Sequence, residues 1–426
     1  MQKLLTLAMT LAFATHASAQ SGYLLKPDRV FDGIDGTTHQ NWGVLVKADK
    51  IAAVGPLTQI AIQALDATVI DLHGTTLLPG LIENHSHLLL HPYNETSWND
   101  QVLKEPLALR TARAVVHAER TLRAGFTTIR DLGTEGAGYA DVGLKKAIEQ
   151  GIIPGPRMFV TTRAIVATGS YGPRFSPDVE LPQGAEEADG YDDLARVVRS
   201  QIGHGADWIK VYADYGWGPN GQAQPTFTQD ELTAIVEVAR SSGRPVVAHA
   251  STAEGMRRAV IAGVETIEHG DNGTPEVFRL MAQRGVAFCP TLAASDAVLQ
   301  YAGWKKGSTP EPERIKNKRA SFKAALAAKV TMCAGSDVGV FAHGDEVREL
   351  ELMVDYGMNT VDVVMSATSV NARILHMQDR LGVVKVNALA DLIAVQGDPI
   401  SNISALREVT FVMKGGSIYV GNPAAK

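Results

Sequence analysis

The stretch Leu78-Pro79-Gly80-Leu81-Ile82-Glu83-Asn84-His85-Ser86-His87 carries an apolar run through a Pro-Gly turn into a His-x-His pair. Read as a β-strand, with side chains repeating every two residues, it points His85 and His87 to one face. Two imidazoles side by side on a rigid strand are half of a metal site. With 12 histidines in 426 residues such a pair also arises by chance, so the remaining ligands must come from elsewhere in the chain.

The surrounding pattern is a repeated helix-turn-strand unit. Five times a helix-like run ends at a turn and leads into a short apolar strand with polar residues at its end: Thr127–Asp131, Trp208–Tyr212, Thr266–His269, Ala287–Pro290 and Thr331–Asp337. Glycine follows the helix in four of these five, where a left-handed cap is expected. The His-x-His strand, Arg157–Thr162 and Pro245–His249 bring the count to eight. Alternating helix and strand implies parallel strands with right-handed crossovers. Eight strands make a TIM (β/α)8 barrel, an α/β fold whose chemistry gathers at the C-terminal strand ends; a doubly wound open sheet is the rival. Residues 20–78 and 380–426 are rich in short strand signals broken by turn residues such as Asp32-Gly33. They predict a small β-sandwich domain built from both chain ends, with the barrel over 79–379.

Composition narrows the class. Apolar residues make up 45% and charged residues 20%, ordinary for a globular protein. A net charge of -6 leaves no electrostatic footprint for nucleic acid. The start, Met1-Gln2-Lys3, an apolar run over Leu4–Ala14 and then Ala17-Ser18-Ala19, reads as a signal peptide over 1–19. Export to the periplasm or beyond is expected, with no later membrane span. Only Cys289 and Cys333 are present, both in apolar strand-like runs. Two buried, inert thiols are the expectation, ahead of a disulfide or a metal role.

The strand ends carry the chemistry. The first ends in His85 and His87, the fourth carries Lys210, the fifth ends in His249, the sixth in His269 and the eighth in Asp337. On a barrel all six converge on the axis at one rim. Lys210 alternates with Ile209 and Val211, so it shares an inward face with Trp208 and Tyr212. An ammonium there costs several kcal/mol without a partner, and bound cations would add repulsion. Reaction with carbon dioxide turns it into an anionic two-oxygen ligand able to bridge two metals. A lysine snorkelling to the rim or pairing Asp337 is the plainer alternative.

The set Glu83-Asn84-His85-Ser86-His87, Ile209-Lys210-Val211, Val247-Ala248-His249-Ala250, Ile267-Glu268-His269-Gly270 and Gly335-Ser336-Asp337-Val338-Gly339 resembles the metal-dependent amidohydrolase superfamily. The similarity extends to Glu349-Leu350-Glu351-Leu352-Met353, Ala367-Thr368-Ser369-Val370-Asn371 and Ala390-Asp391-Leu392-Ile393-Ala394-Val395. The branch it most resembles is prolidase-like, that of the Xaa-Pro dipeptidases and ochratoxin A amidohydrolases. That resemblance implies two divalent ions, with zinc best suited to the ligand set. It implies His85, His87 and Asp337 on one ion, His249 and His269 on the other, and N6-carboxylated Lys210 between them. It implies hydrolysis of an amide to a C-terminal amino acid, as in ochratoxin A, N-acyl amino acids or dipeptides, with Asp337 moving the proton. It further implies a homo-oligomer, commonly an octamer. Where relatives carry Thr-Gly-Gly-His, this chain has Thr168-Gly169-Ser170-Tyr171-Gly172, so Tyr171 is expected either to hydrogen-bond the substrate oxygen or to line the pocket. Tyr93, Tyr215 and Trp217 are expected on the substrate, with Arg163, Arg174 and Tyr215 as carboxylate partners. The basic run Lys305–Arg319 reads as a solvated helix entry. A mononuclear deaminase or cyclic-amide hydrolase, a phosphoesterase and a non-catalytic scaffold are the alternatives.

Overall fold

The computed structural model describes residues 22–307 and 310–421, so the signal-peptide expectation over 1–19 lies outside the described residues. Parallel strands Leu81–Ser86, Phe126–Asp131 and Arg157–Val160 pair in that order. Ile209–Tyr212, Val246–Thr252, Thr266–Asn272 and Ala287–Cys289 form a second parallel run. The backbone N–H groups of Asp207 and Trp208 donate to the Val160 carbonyl (2.8 and 3.2 Å) and join the two runs.

At the eighth position there is no regular strand. The chain there makes single bridges, Met332 to Phe288 and Val338 to Ser86. The ring nevertheless closes through the backbone: Asn84 N–H donates to Ala334 (3.1 Å), Asp337 N–H to His85 (2.9 Å) and His87 N–H to Val338 (2.9 Å). This irregular closure is stitched by Asn371. Its buried side-chain amide donates to the carbonyls of Ile82 (2.8 Å) and Ala334 (2.7 Å) and accepts from Ala334 N–H (3.3 Å).

Period-two alternation decides which side chains go outward. Ile209 and Val211 pack in one core with Val197, Val198 and Ile235 of the surrounding helices. Trp208 packs instead with Ile82 and Val247 in a separate inner cluster. Each such aliphatic side chain removed from water contributes about 1.5–3 kcal/mol. The helix caps turn as expected: Gly125, Gly205, Gly263 and Gly285 are left-handed, and Lys329 takes the same conformation at the fifth (φ 58°).

Two expectations are corrected. The chain ends do come together, but as one continuous eight-stranded sheet rather than a sandwich of two. Its order is Lys50–Pro56, Trp42–Lys47, Tyr23–Phe31, Thr68–Pro79, Leu392–Gln396, Val409–Lys414 and Ser417–Val420, with Thr38–Gln40 on the side of Tyr23–Phe31. The long strand Thr68–Pro79 accepts Tyr23–Phe31 in parallel on one edge and Leu392–Gln396 antiparallel on the other, so no break separates two sheets. It passes straight into the barrel at Gly80, where a Cβ would stand 2.1 Å from Thr127 Oγ1. The second correction is that Cys289 and Cys333 form a disulfide. The Phe288–Met332 bridge sets the seventh and eighth positions side by side, and their Cα atoms fall 4.5 Å apart.

Asn371→Ala leaves two buried carbonyls and one N–H without that partner. It is expected to lower unfolding free energy by about 2–4 kcal/mol in urea denaturation; a change below about 0.5 kcal/mol would mean the eighth position closes without it.

Candidate metal centre and its cavity

The histidines predicted from the strand ends meet at one rim of the barrel. Ring centroids of His85 and His87 lie 5.3 Å apart, His85 and His269 5.0 Å, and His249 and His269 4.4 Å. Asp337 Oδ1 lies 3.5 Å from His85 Nε2 and 3.3 Å from His87 Nε2. One donor atom each from His85, His269 and Asp337 falls within 4.8 Å of the others, a spacing that suits a metal ion.

Each ring is held by its other nitrogen. His85 Nδ1 meets Glu268 Oε2 (2.8 Å), His87 Nδ1 donates to the Gly133 carbonyl (2.9 Å), and His269 Nδ1 meets Thr291 Oγ1 (2.8 Å). The Nε2 atoms are thereby turned to the centre. His249 is reversed: its Nε2 faces Asp214 at 3.7 Å, leaving Nδ1 for the interior. Such outer partners fix tautomer and orientation in metal-binding imidazoles. Glu268 is in turn held by Arg130 (2.9 Å) and Thr266 Oγ1 (2.6 Å). His269 (φ 74°) and Asp337 (φ 64°) both sit in the left-handed region, unusual for residues with side chains and frequent at functional sites. Lys318 donates to the His269 carbonyl (3.0 Å) and to Asp271 Oδ1 (2.5 Å).

Lys210 is the outlier. It is fully buried, and its Nζ has no hydrogen-bond partner among the described residues. Burial pushes its ammonium down to about 8. Burial also pushes His249 down to about 3, and takes His85 and His269 well below the usual histidine range. Burial acts the same way on His87, but the Asp337 hydrogen bond and charge outweigh it and lift His87 to about 9. Burial alone would raise Asp337, yet the adjacent His85 and His87 hold its carboxyl well below the carboxylate range. The donor set therefore fits a cation: His85, His249 and His269 held neutral, His87 paired with an ionised Asp337 whose charge a metal ion could take over, and a buried amine without a hydrogen-bond partner among the described residues.

Above the cluster opens a cavity of about 630 Å³, within the range of small-molecule sites. Tyr93, Tyr171 and Tyr215 line it as expected, and so does Tyr212. Three expected residues lie away from its lining. Arg163 faces Glu186 at 3.5 Å; Arg174 donates to the Tyr171 carbonyl at 3.1 Å beside a separate surface depression. The Trp217 indole donates to the Pro225 carbonyl (3.2 Å). Sequence reasoning missed Glu135, Arg314 and Asn317 on the wall. Arg314 belonged to the stretch read as a solvated helix entry, and the only local signal for Glu135 was its place between Gly133 and Gly136 after the second strand.

Comparison with known proteins agrees with this arrangement. A family model described as "Amidohydrolase family" matches residues 76–419. Ochratoxinase of Aspergillus niger is 29% identical over 420 residues, covering 91% of this chain and 84% of that protein. A crystal structure of a Xaa-Pro dipeptidase with bound methionine in its active site superposes with a TM-score of 0.81 at 30% identity, covering 94% and 100% of the two chains. The crystal structure of A. niger ochratoxinase gives 0.79 at 27% identity, covering 94% and 96%. With a family model spanning most of its length and the histidine-aspartate cluster at the barrel rim, the chain belongs to the amidohydrolase family.

Proposed function

We propose that this protein is an exported, binuclear metal-dependent amidohydrolase that cleaves the amide bond to a C-terminal amino acid. Its candidate substrates are ochratoxin A, N-acyl amino acids and dipeptides, in keeping with the names of the relatives above. The observation that carries the reading is Lys210, a buried amine without a hydrogen-bond partner among the described residues, whose charge bears on His85, His249, His269 and Asp337. Its neutral amine would add to carbon dioxide, forming an N–C bond and releasing a proton, to give a carbamate between two ions. His85, His87 and Asp337 would hold one ion, and His249 and His269 the other. Zinc suits these nitrogen and oxygen donors. The disulfide supports export, since such bonds persist in oxidising compartments.

When bound, divalent ions polarise the scissile carbonyl and ease deprotonation of water. The chain's own residues do the rest. Asp337, kept ionised, accepts a proton from the attacking water as the C–O bond forms and returns it to the departing nitrogen as C–N breaks. Arg314 receives the substrate carboxylate at the mouth of the cavity. Its Nε is spent on Asp271 Oδ2 (3.1 Å), while its terminal amino groups make no hydrogen bond among the described residues. With Lys318 also on Asp271, two cations face one anion, and the surplus favours a carboxylate. Tyr171 gives its hydroxyl proton to Glu135 (2.9 Å), which favours a role in the wall over one at the substrate oxygen.

The mononuclear alternative draws on the compact trio His85, His269 and Asp337, which a single ion would satisfy. It leaves Lys210 with no role, so metal counting separates the two.

For Lys210→Ala, metal analysis is expected to fall from two ions per chain to one or fewer. Its kcat/KM on N-acyl amino acids is expected to drop about 10²–10⁴-fold, the equivalent of several kcal/mol; unchanged hydrolysis would contradict the binuclear reading. Arg314→Ala is expected to raise KM about tenfold for substrates ending in a free carboxylate, while matched C-terminal carboxamides show no such rise. Equal effects on both would remove Arg314 from carboxylate binding.

A further inference from the structure

Glu135 is buried (3% exposed), lines the cavity and takes no part in holding the histidine cluster. Its backbone is left-handed (φ 48°). Arg110 pins that conformation, donating to the carbonyls of Glu135 (2.8 Å), Thr134 (3.1 Å) and Leu89 (3.1 Å). That guanidinium is therefore spent on backbone and does not pair with the carboxylate. The groups that donate to the Glu135 side chain are all neutral: Trp98 Nε1 (3.0 Å) and Tyr171 hydroxyl (2.9 Å) on Oε2, and Tyr212 hydroxyl on Oε1 at a long 3.4 Å. A carboxylate has about four acceptor positions, so this cavity-lining side chain keeps unused acceptor capacity.

Around it stands an aromatic cradle. The rings of Tyr171 and Tyr212 are 4.7 Å apart, Tyr171 and Tyr215 4.8 Å, and Tyr212 and Tyr215 5.8 Å, centroid to centroid. All three line the cavity. Ring faces attract cations through their quadrupoles, and a carboxylate within the cradle adds full charge complementarity. A group with three N–H donors and one positive charge answers both.

Position on the barrel gives this cradle a counterpart. Glu135 follows the second strand, while Asp271, with Arg314 and Lys318 on it, ends the sixth, four positions around an eight-membered ring. The two walls face each other across the histidines, one negative and one with surplus positive charge. We infer that the cavity is built for an unblocked dipeptide, its free α-ammonium against Glu135 within Tyr171, Tyr212 and Tyr215, and its carboxylate toward Arg314. The inference rests on the amide-hydrolysis reading and narrows its substrate class: N-acyl amino acids and ochratoxin A, which bring no ammonium, are the poorer substrates.

The test uses the zinc-loaded full-length protein and a matched pair, Ala-Phe and propionyl-Phe, which differ only in the amino group. The wild type is expected to favour Ala-Phe at least tenfold in kcat/KM, and Glu135→Gln is expected to shrink that ratio at least tenfold. Equal or better turnover of propionyl-Phe by the wild type, which needs no variant to fold, would overturn the inference while leaving amide hydrolysis intact. A ratio unchanged in Glu135→Gln would overturn it too. N-acetyl-Lys-Phe matching Ala-Phe would place a side-chain cation in the cradle and overturn the assignment to the α-ammonium. Hydrolysis of none of these, nor of ochratoxin A, would remove the amide reading itself and this inference with it.

Discussion

The architecture of the site turns on one constraint: an amine sealed in a barrel with no hydrogen-bond partner among the described residues. A buried ammonium left unpaired is strongly disfavoured, and Lys210 is fully buried, its Nζ 5.4 Å from the Tyr212 ring centroid, so it has not snorkelled to water. Lys210 is held there by the strand itself, paired in register with Val247 while Tyr212 pairs with His249. The same register that buries the lysine therefore sets the fifth-strand histidine beside it. Carboxylation, as proposed, would resolve the conflict by turning the amine into an anion, and the imidazoles and carboxylate around it suit cations beside that anion.

The outer partners fix the orientation of the rings. Glu268, locked between Arg130 and Thr266, holds His85; a backbone carbonyl holds His87; Thr291 holds His269. Strained backbone at His269 and Asp337 is offset by the regular strands and bonds beside it. Close packing at Gly339 matters for the same reason, since a Cβ there would stand 2.7 Å from the His87 carbonyl oxygen. The irregular eighth position lets the chain deliver Asp337 into the ring, where a regular strand end would have pointed it along the alternation.

Much of the cluster was legible in the sequence because metal chemistry accepts few side chains and a barrel gathers strand ends at one rim. His85, His87, Lys210, His249, His269 and Asp337 each followed a short apolar run, a local pattern. What escaped reading depends on long-range placement. The Cys289–Cys333 bond joins residues 44 apart that become neighbours only once the barrel closes. The single sheet at the chain ends depends on Thr68–Pro79 taking partners from both termini. Loop paths decided the cationic residues: Arg163 and Arg174 leave the strands near the rim yet turn to Glu186 and to a backbone carbonyl. Arg314 instead enters the cavity from a segment whose local sequence looked solvated. Glu135 escaped because a lone glutamate between glycines carries no spacing signal.

Whether Lys210 is carboxylated between two ions decides the chemistry of the site. A crystal structure of the protein prepared with zinc and bicarbonate, with anomalous data collected at the zinc edge, tests it most directly. Two anomalous peaks between the histidines, with continuous density for a carboxylate extending from Lys210 Nζ, are the predicted result. One peak on His85, His269 and Asp337 beside an unmodified Lys210 would contradict it.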